Sequence, residues 1–279
     1  MAVPDTATEH DLRHLQPAPR EGYRARFAHG WPLLRVMTKR DYRARYRQSL
    51  LDVGWSLVTP IAILIVYGFI FTVAFNVDGE GAPYLSFVWT GLVVWTLFST
   101  GLGTGASSLL MNSDLVSKIY FPREVLPLSA VGSSVIDFAI SFVVLCVLVL
   151  VQIGSVSITV LGAIPAFGLA LLWTAAIAVF TAAITVFIRD MAQVVMLFLR
   201  VAILATPVMY GPGVLPDSVQ FLATWNPIAV AIGGARDAIL YQVWPNWGAL
   251  ALHAAAGIAT FAFAIAYMRS VEGRMNDVI

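Results

Sequence analysis

Asn112-Ser113-Asp114-Leu115-Val116-Ser117-Lys118-Ile119-Tyr120-Phe121-Pro122-Arg123-Glu124 is a short polar island between two long apolar runs. Its reading decides the fold. The chain on either side of it belongs in a lipid bilayer, so the island is a surface that something outside the bilayer can touch. Lys118, Arg123 and Glu124 place charge at the ends of the flanking runs. Basic residues in short loops favour the cytoplasmic side of a membrane. The island therefore reads as a cytoplasmic contact point.

Outward from the island, the composition agrees. Hydrophobic residues make up 59% of the 279 and charged residues 12%, and mean hydropathy is +0.80. A soluble domain carries about twice that charged fraction. A helix needs roughly 20 apolar residues to cross the hydrocarbon core. The charge-free stretches accommodate six crossings, at about 55–76, 85–110, 126–151, 158–187, 191–210 and 247–268. The break inside the longest run falls at Gln152-Ile153-Gly154-Ser155-Val156-Ser157, its one polar, turn-like patch. The expected fold is an all-α integral membrane protein, with a transmembrane domain over 53–279.

An even number of crossings puts both termini on one side. Ten of the 17 Lys and Arg residues lie in 1–52, and Lys118, Arg123, Arg189, Arg269 and Arg274 fall in loops on that same side. Positive-inside bias makes that side the cytoplasm. Residues 1–22 have no apolar core of a signal peptide and are expected to form a disordered cytoplasmic tail. From 23 to 52 the chain is basic and aromatic. Pro32 can open a helix there, with an apolar face of Leu34, Met37, Tyr42, Tyr46 and Leu50 and a basic face. Such an amphipathic helix lies in the headgroup layer. Its place directly before a span argues against nucleic acid.

Five prolines punctuate 207–245. The apolar pieces between them are too short to cross, so 211–245 is expected to form a re-entrant hairpin on the outer side, before the last span. Asn226-Pro227 has the pattern of a helix start, Asn as cap and Pro at the first position. Asp137 and Arg200 are stranded in spans, roughly 20 and 15 Å from the cytoplasmic ends of their helices. A lipid-facing charge at such depth costs about 3 kcal/mol. Similar depth and opposite sign predict that they pair, either as a structural clamp or lining a pathway.

Much chemistry is missing. Neither lysine, Lys39 or Lys118, follows a glycine and precedes Ser or Thr, so the chain has no phosphate-binding loop. No Gly-x-Ser-x-Gly or His-Glu-x-x-His pattern occurs, and His10, His14, His29 and His253 have no zinc spacing. The single Cys146 excludes an internal disulfide. The residues point to no enzyme and no metal site.

Taken together, the basic N-terminal segment, six spans, the Lys-Ile-Tyr-Phe-Pro-Arg-Glu-Val-Leu-Pro run at 118–127, Arg189-Asp190, Thr206-Pro207-Val208-Met209-Tyr210, and Trp225-Asn226-Pro227-Ile228 followed by Arg236 resemble one family. The chain is similar to the membrane subunits of type-two ATP-binding-cassette exporters for polysaccharides such as O-antigen, teichoic acid and galactan. The resemblance covers the chain from about residue 30 onward. It implies a bacterial inner-membrane permease working as a pair with a second copy of itself, above two copies of a separate ATPase that holds ATP and Mg. The substrate would be a glycan on a polyprenyl diphosphate, a cell-wall galactan precursor among the candidates. Loop 112–124 would be the coupling element, through Asp114, Lys118, Tyr120, Phe121, Pro122, Arg123 and Glu124. Arg40, Arg43, Arg45 and Arg47 would meet the diphosphate. Tyr67, Phe69, Phe71, Trp89, Trp95 and Phe98 would line the channel. Two rivals stay open: a permease of the same type for a drug or small lipid, and a membrane-embedded glycosyl- or phospho-transferase.

Overall fold

The computed structural model describes residues 23–46, scattered positions from 54 to 69, and residues 80–118, 121–214, 216, 218 and 220–275. Its regular elements are all helices. In chain order they are α1 (Tyr23–Tyr46), α2 (Tyr84–Met111), α3 (Ser113–Lys118), α4 (Val125–Gln152), a 3-10 turn (Ile158–Gly162) running into α5 (Ala163–Phe187), α6 (Met191–Ala205), α7 (Phe221–Trp225), α8 (Pro227–Ile239) and α9 (Trp247–Met275). The tail 1–22, residues 47–53 and most of the expected first span lie outside the described residues.

Among the described residues, four helices are long and apolar enough to cross a membrane: α2, α4, the turn plus α5 (Ile158–Phe187), and α9. The expected span at 191–210 is corrected to the 15 residues of α6. That is about 22 Å of helix against a core of about 30 Å. The cause is Pro207, which disfavours helical geometry at the residue before it. Thr206 accordingly takes φ −98°, ψ 132°. The expected break after α4 is found: α4 ends at Gln152, and Gly154 turns the chain with φ +75°. Asn226 caps α8 as its sequence suggested, its Oδ1 accepting from Ile228 N at 2.9 Å. Pro32 does not open α1. It sits inside a helix that begins at Tyr23.

α2 is the hub. It packs on α4, α5, α6 and α8, while α9 lies on α5 and α1 on α4. Twenty-eight residues without a charge allow α2 to be buried on nearly every face. Gly101 and Gly105, four apart, face α5: a Cβ on Gly101 would stand 2.7 Å from Thr174, and one on Gly105 2.7 Å from Ala178. Membrane helices lack a strong hydrophobic drive to associate, and small residues let their backbones close to full dispersion contact. Several buried hydroxyls are satisfied within their own helices. Ser108, Ser133, Ser134 and Thr174 donate to carbonyls three or four residues back, at 2.7–2.8 Å.

The interior divides in two. One core joins α2, the later parts of α4 and the start of α5 to α8. A second core, at the island's end of the bundle, joins Leu109, Val116 and Phe121 to the start of α4 and the ends of α5 and α9, through Val179, Val186, Met268, Val271 and Met275. Apolar side chains such as Val143, Val147, Leu197 and Phe198 point away from both, as a lipid-facing surface requires. Trp244 and Trp247, exposed with rings 5.9 Å apart, are of the kind that marks a membrane–water boundary.

Candidate functional site

The island folds as α3 followed by a tight approach to α4, and its residues divide by exposure. Met111, Asp114 and Ser117 are exposed. Arg123 and Glu124 are not, at 6% and 5% exposure, and Phe121 is buried in the core at the island's end of the bundle. The expectation that Phe121, Arg123 and Glu124 offer a contact surface is therefore corrected. Arg123 donates through Nη1 to the Glu272 carbonyl at 2.7 Å, and Arg269 Nη2 donates to Glu124 Oε1 at 2.8 Å. Both links run to the last two turns of α9. Pro122 is half-buried between them. Tyr120 and the Lys118 side chain lie outside the described residues.

α1 is tied to the bundle by polar contacts spaced along one face. Ser129 donates to Asp41 Oδ2 at 2.6 Å, Arg40 reaches Asp41 Oδ1 at 2.8 Å and Asn112 Oδ1 at 2.7 Å, and Thr38 lies over Gly132. Arg45 Nη1 meets Asp137 Oδ2 at 2.7 Å while its Nη2 donates to Ser133. This corrects the expected partner. Asp137 does turn into the protein, but the cation facing it is Arg45 on α1 and not Arg200. Depth along a helix can be read from residue spacing; the direction a side chain takes around the bundle cannot. Arg40, Asp41, Arg45, Asn112 and Ser133 share a cavity of about 360 Å³ where α1, α2 and α4 meet. Arg43 is exposed, and Arg47 lies outside the described residues.

Arg200 instead lines an open groove of about 710 Å³ between α2 and α6. Along α2 the groove shows Trp95, Ser99, Thr100, Thr104 and Ser107, a stripe at helical spacing. Thr104 donates to the Thr100 carbonyl at 2.6 Å and Ser107 to the Gly103 carbonyl at 3.4 Å. With these protons spent inside the helix, the hydroxyls offer their lone pairs to the groove as acceptors. Among the described residues Arg200 has no carboxylate or hydrogen-bond partner. The expected channel aromatics fare unevenly. Trp95 lies on the groove, but Trp89 and Phe98 are core residues, 1% and 4% exposed, with Trp89 Nε1 donating to the Ser141 carbonyl at 3.0 Å. Phe69 is exposed, and Tyr67 and Phe71 lie outside the described residues.

One residue carries more than its sequence position showed. Arg236 is 3% exposed in α8. It donates to the carbonyls of Pro207 at 2.9 Å, Val208 at 2.6 Å and Phe87 at 3.3 Å, and its guanidinium lies 3.5 Å over the Phe87 ring. Gly91 leaves the Val208 carbonyl room to reach it. Nearby, burial raises the pKa of the Tyr241 phenol, and the Glu80 charge raises it further. The readable signal for Arg236 was a cation in a largely apolar helix, beside Asp237 alone, which must be buried against acceptors or paired.

Comparison with known proteins agrees with this architecture. The sequence pattern of the family described as "ABC-2 type transporter" matches residues 32–240. The chain is 29% identical over 206 residues to an O-antigen export system permease protein, RfbA, of Klebsiella pneumoniae, covering 74% of this chain and 79% of that one. It is 32% identical over 213 residues to the RfbA permease of Myxococcus xanthus, covering 75% and 80%. The match spans well over half of the chain, and the chain belongs to the ABC-2 type transporter family of multi-pass membrane permeases.

Proposed function

We propose that this chain is the permease of an ATP-driven exporter that moves a polyprenyl-diphosphate-linked polysaccharide out of the bacterial cytoplasm, with a cell-wall galactan precursor as a candidate cargo. In this reading two copies pair to enclose the channel, each crossing the inner membrane six times with both termini inside, the fifth crossing made by α6 together with the non-helical stretch 206–210. The hairpin 211–245 re-enters from outside. Two copies of an ATPase dock below and hydrolyse ATP with their own Mg.

The α2–α6 groove is the observation that supports this most. It presents acceptor oxygens, the edge of one largely buried tryptophan and a guanidinium with no carboxylate partner among the described residues. A sugar polymer is a dense array of hydroxyl donors with apolar ring faces. Spaced acceptors and an aromatic surface suit its passage without fixing it at any one position. A partnerless intramembrane cation facing a polar groove is itself the mark of a pathway. Near the cytoplasmic end, Arg40 and Arg45 supply planar donor forks suited to phosphate. Each already faces a carboxylate, Asp41 or Asp137, so a diphosphate entering there competes for them and does not find them idle.

The test is conditional depletion in the native host, followed by isotope-labelled extraction of lipid-linked glycans. Full-length polymer retained on its lipid inside the cell is the expected result. Shortened polymer with its precursor accumulating would mean that the chain works in synthesis and would overturn the reading.

A further inference from the structure

The Phe-Pro-Arg-Glu segment stands in the coupling loop, yet its charges are buried against α9. We propose that the cytoplasmic end of α9 is the second half of the coupling element: the island receives the ATPase's movement on its exposed stretch around Asp114, and the Glu124–Arg269 and Arg123–Glu272 links deliver it to α9. The inference rests on the export reading and adds to it the route by which force enters the bundle.

Three observations carry it. First, side chains 6% and 5% exposed are out of reach of a separate protein, so Arg123 and Glu124 act on what they already touch. Secondly, the two links run in opposite senses. Adjacent residues 123 and 124 meet α9 three residues apart, at Glu272 and Arg269, the island donating in one link and accepting in the other. Such a crossed pair resists pulling and turning alike. Thirdly, the links stand over an apolar floor. Val116 and Phe121 from the island pack with Met268, Val271 and Met275 of α9 and with Val179 and Val186 of α5, and the Arg274 guanidinium lies 5.6 Å over the Phe187 ring at the end of α5. Island, α9 end and α5 end form one packed body. Packed bodies move as units and do not deform continuously.

The ion pair is not explained by stability alone. Replacing a buried pair with apolar residues of similar volume is often neutral or stabilising. What the pair adds is a fixed register between the island and one turn of α9, which coupling requires.

The test uses the whole complex, the permease with its ATPase partner, in proteoliposomes loaded with lipid-linked glycan extracted from depleted cells. ATP hydrolysis and export are read in the same vesicles. In R269Q the ATP consumed per glycan exported is expected to rise roughly tenfold, within the range of one coupling contact. The charge-exchanged double variant E124R/R269E should restore the ratio towards that of the original protein, which a merely structural role would not predict. An unchanged ratio in R269Q, or no recovery in a double variant that assembles normally, overturns the proposal. Should R269Q fail to accumulate, cysteines at 124 and 269 in a C146A background are bridged with a short bifunctional thiol reagent. Continued export with the bridge in place is expected, because the two positions travel together; a block overturns the idea. If the unaltered complex hydrolyses ATP without exporting glycan, it is the export reading that fails. If it exports and R269Q matches it, the α9 relay alone fails.

Discussion

Arg45, Asp137 and Arg236 set the terms at the residue scale. Asp137 is buried beneath Arg45, so D137N leaves a half-buried cation facing no charge. Removing one member of a buried pair costs about 3 kcal/mol or more, and a lowered thermal midpoint of the purified permease in detergent should report it. The double variant R45Q/D137N, which removes both charges, should recover over half of that loss. Arg236 is more demanding. R236K keeps the charge but gives up the planar fork across three carbonyls and the stacking on Phe87. Hydrogen bonds from a charged group are worth about 1.5–3 kcal/mol each. R236K should therefore expose the segment around Pro207 to protease in the otherwise folded protein. Arg200 offers the contrast: being exposed, it should cost less than about 0.5 kcal/mol in R200Q, with the loss appearing in export. Sequence reading placed Asp137 inside the protein correctly, because a charge at that depth has nowhere else to go. It missed the partner because α1 was expected to lie apart in the headgroup layer, and one face of α1 in fact runs along α4.

Elements were legible where a residue's own backbone preference decides the matter. The break at 152–157 and the start of α8 at Asn226-Pro227 both follow from turn and cap chemistry acting over a few residues. The length of α6 was misjudged although the signal was present: Thr206-Pro207 ends the helix, whatever the hydropathy beyond it. The burial of Arg123 and Glu124 could not be read at all, since their partners lie about 145 residues away on α9. The α2–α5 contact gives a prediction that belongs to whole helices. G105L must force α5 away from α2, where a Cβ already meets Ala178 at 2.7 Å. Overpacking of this kind costs roughly 1–3 kcal/mol. Gly168, with nothing within 4 Å of its would-be Cβ, is the control, and G168L should leave the melting temperature unchanged.

At the scale of the molecule, the two cores share α2, α4 and α5 but meet different surroundings. One holds the island and the end of α9, and the other holds the outer segment pinned by Arg236. If both termini face the cytoplasm, as the basic N-terminal segment argues, an epitope tag after Ile279 should survive protease added outside spheroplasts and be lost when the membrane is opened. The self-contained hydroxyls described above have a mechanical consequence. Because Ser108, Ser133, Ser134 and Thr174 spend their protons on their own backbones, much of the buried surface between helices holds by dispersion alone. Such faces slip like greased bearings, since a small displacement exchanges one set of weak contacts for another. The charged bolts among the described residues are few: the Arg236 pin at one end, the α1 tether through Arg40, Asp41 and Arg45, and the α9 clamp at the other. A bundle assembled in this way resists being pulled apart while remaining free to shear.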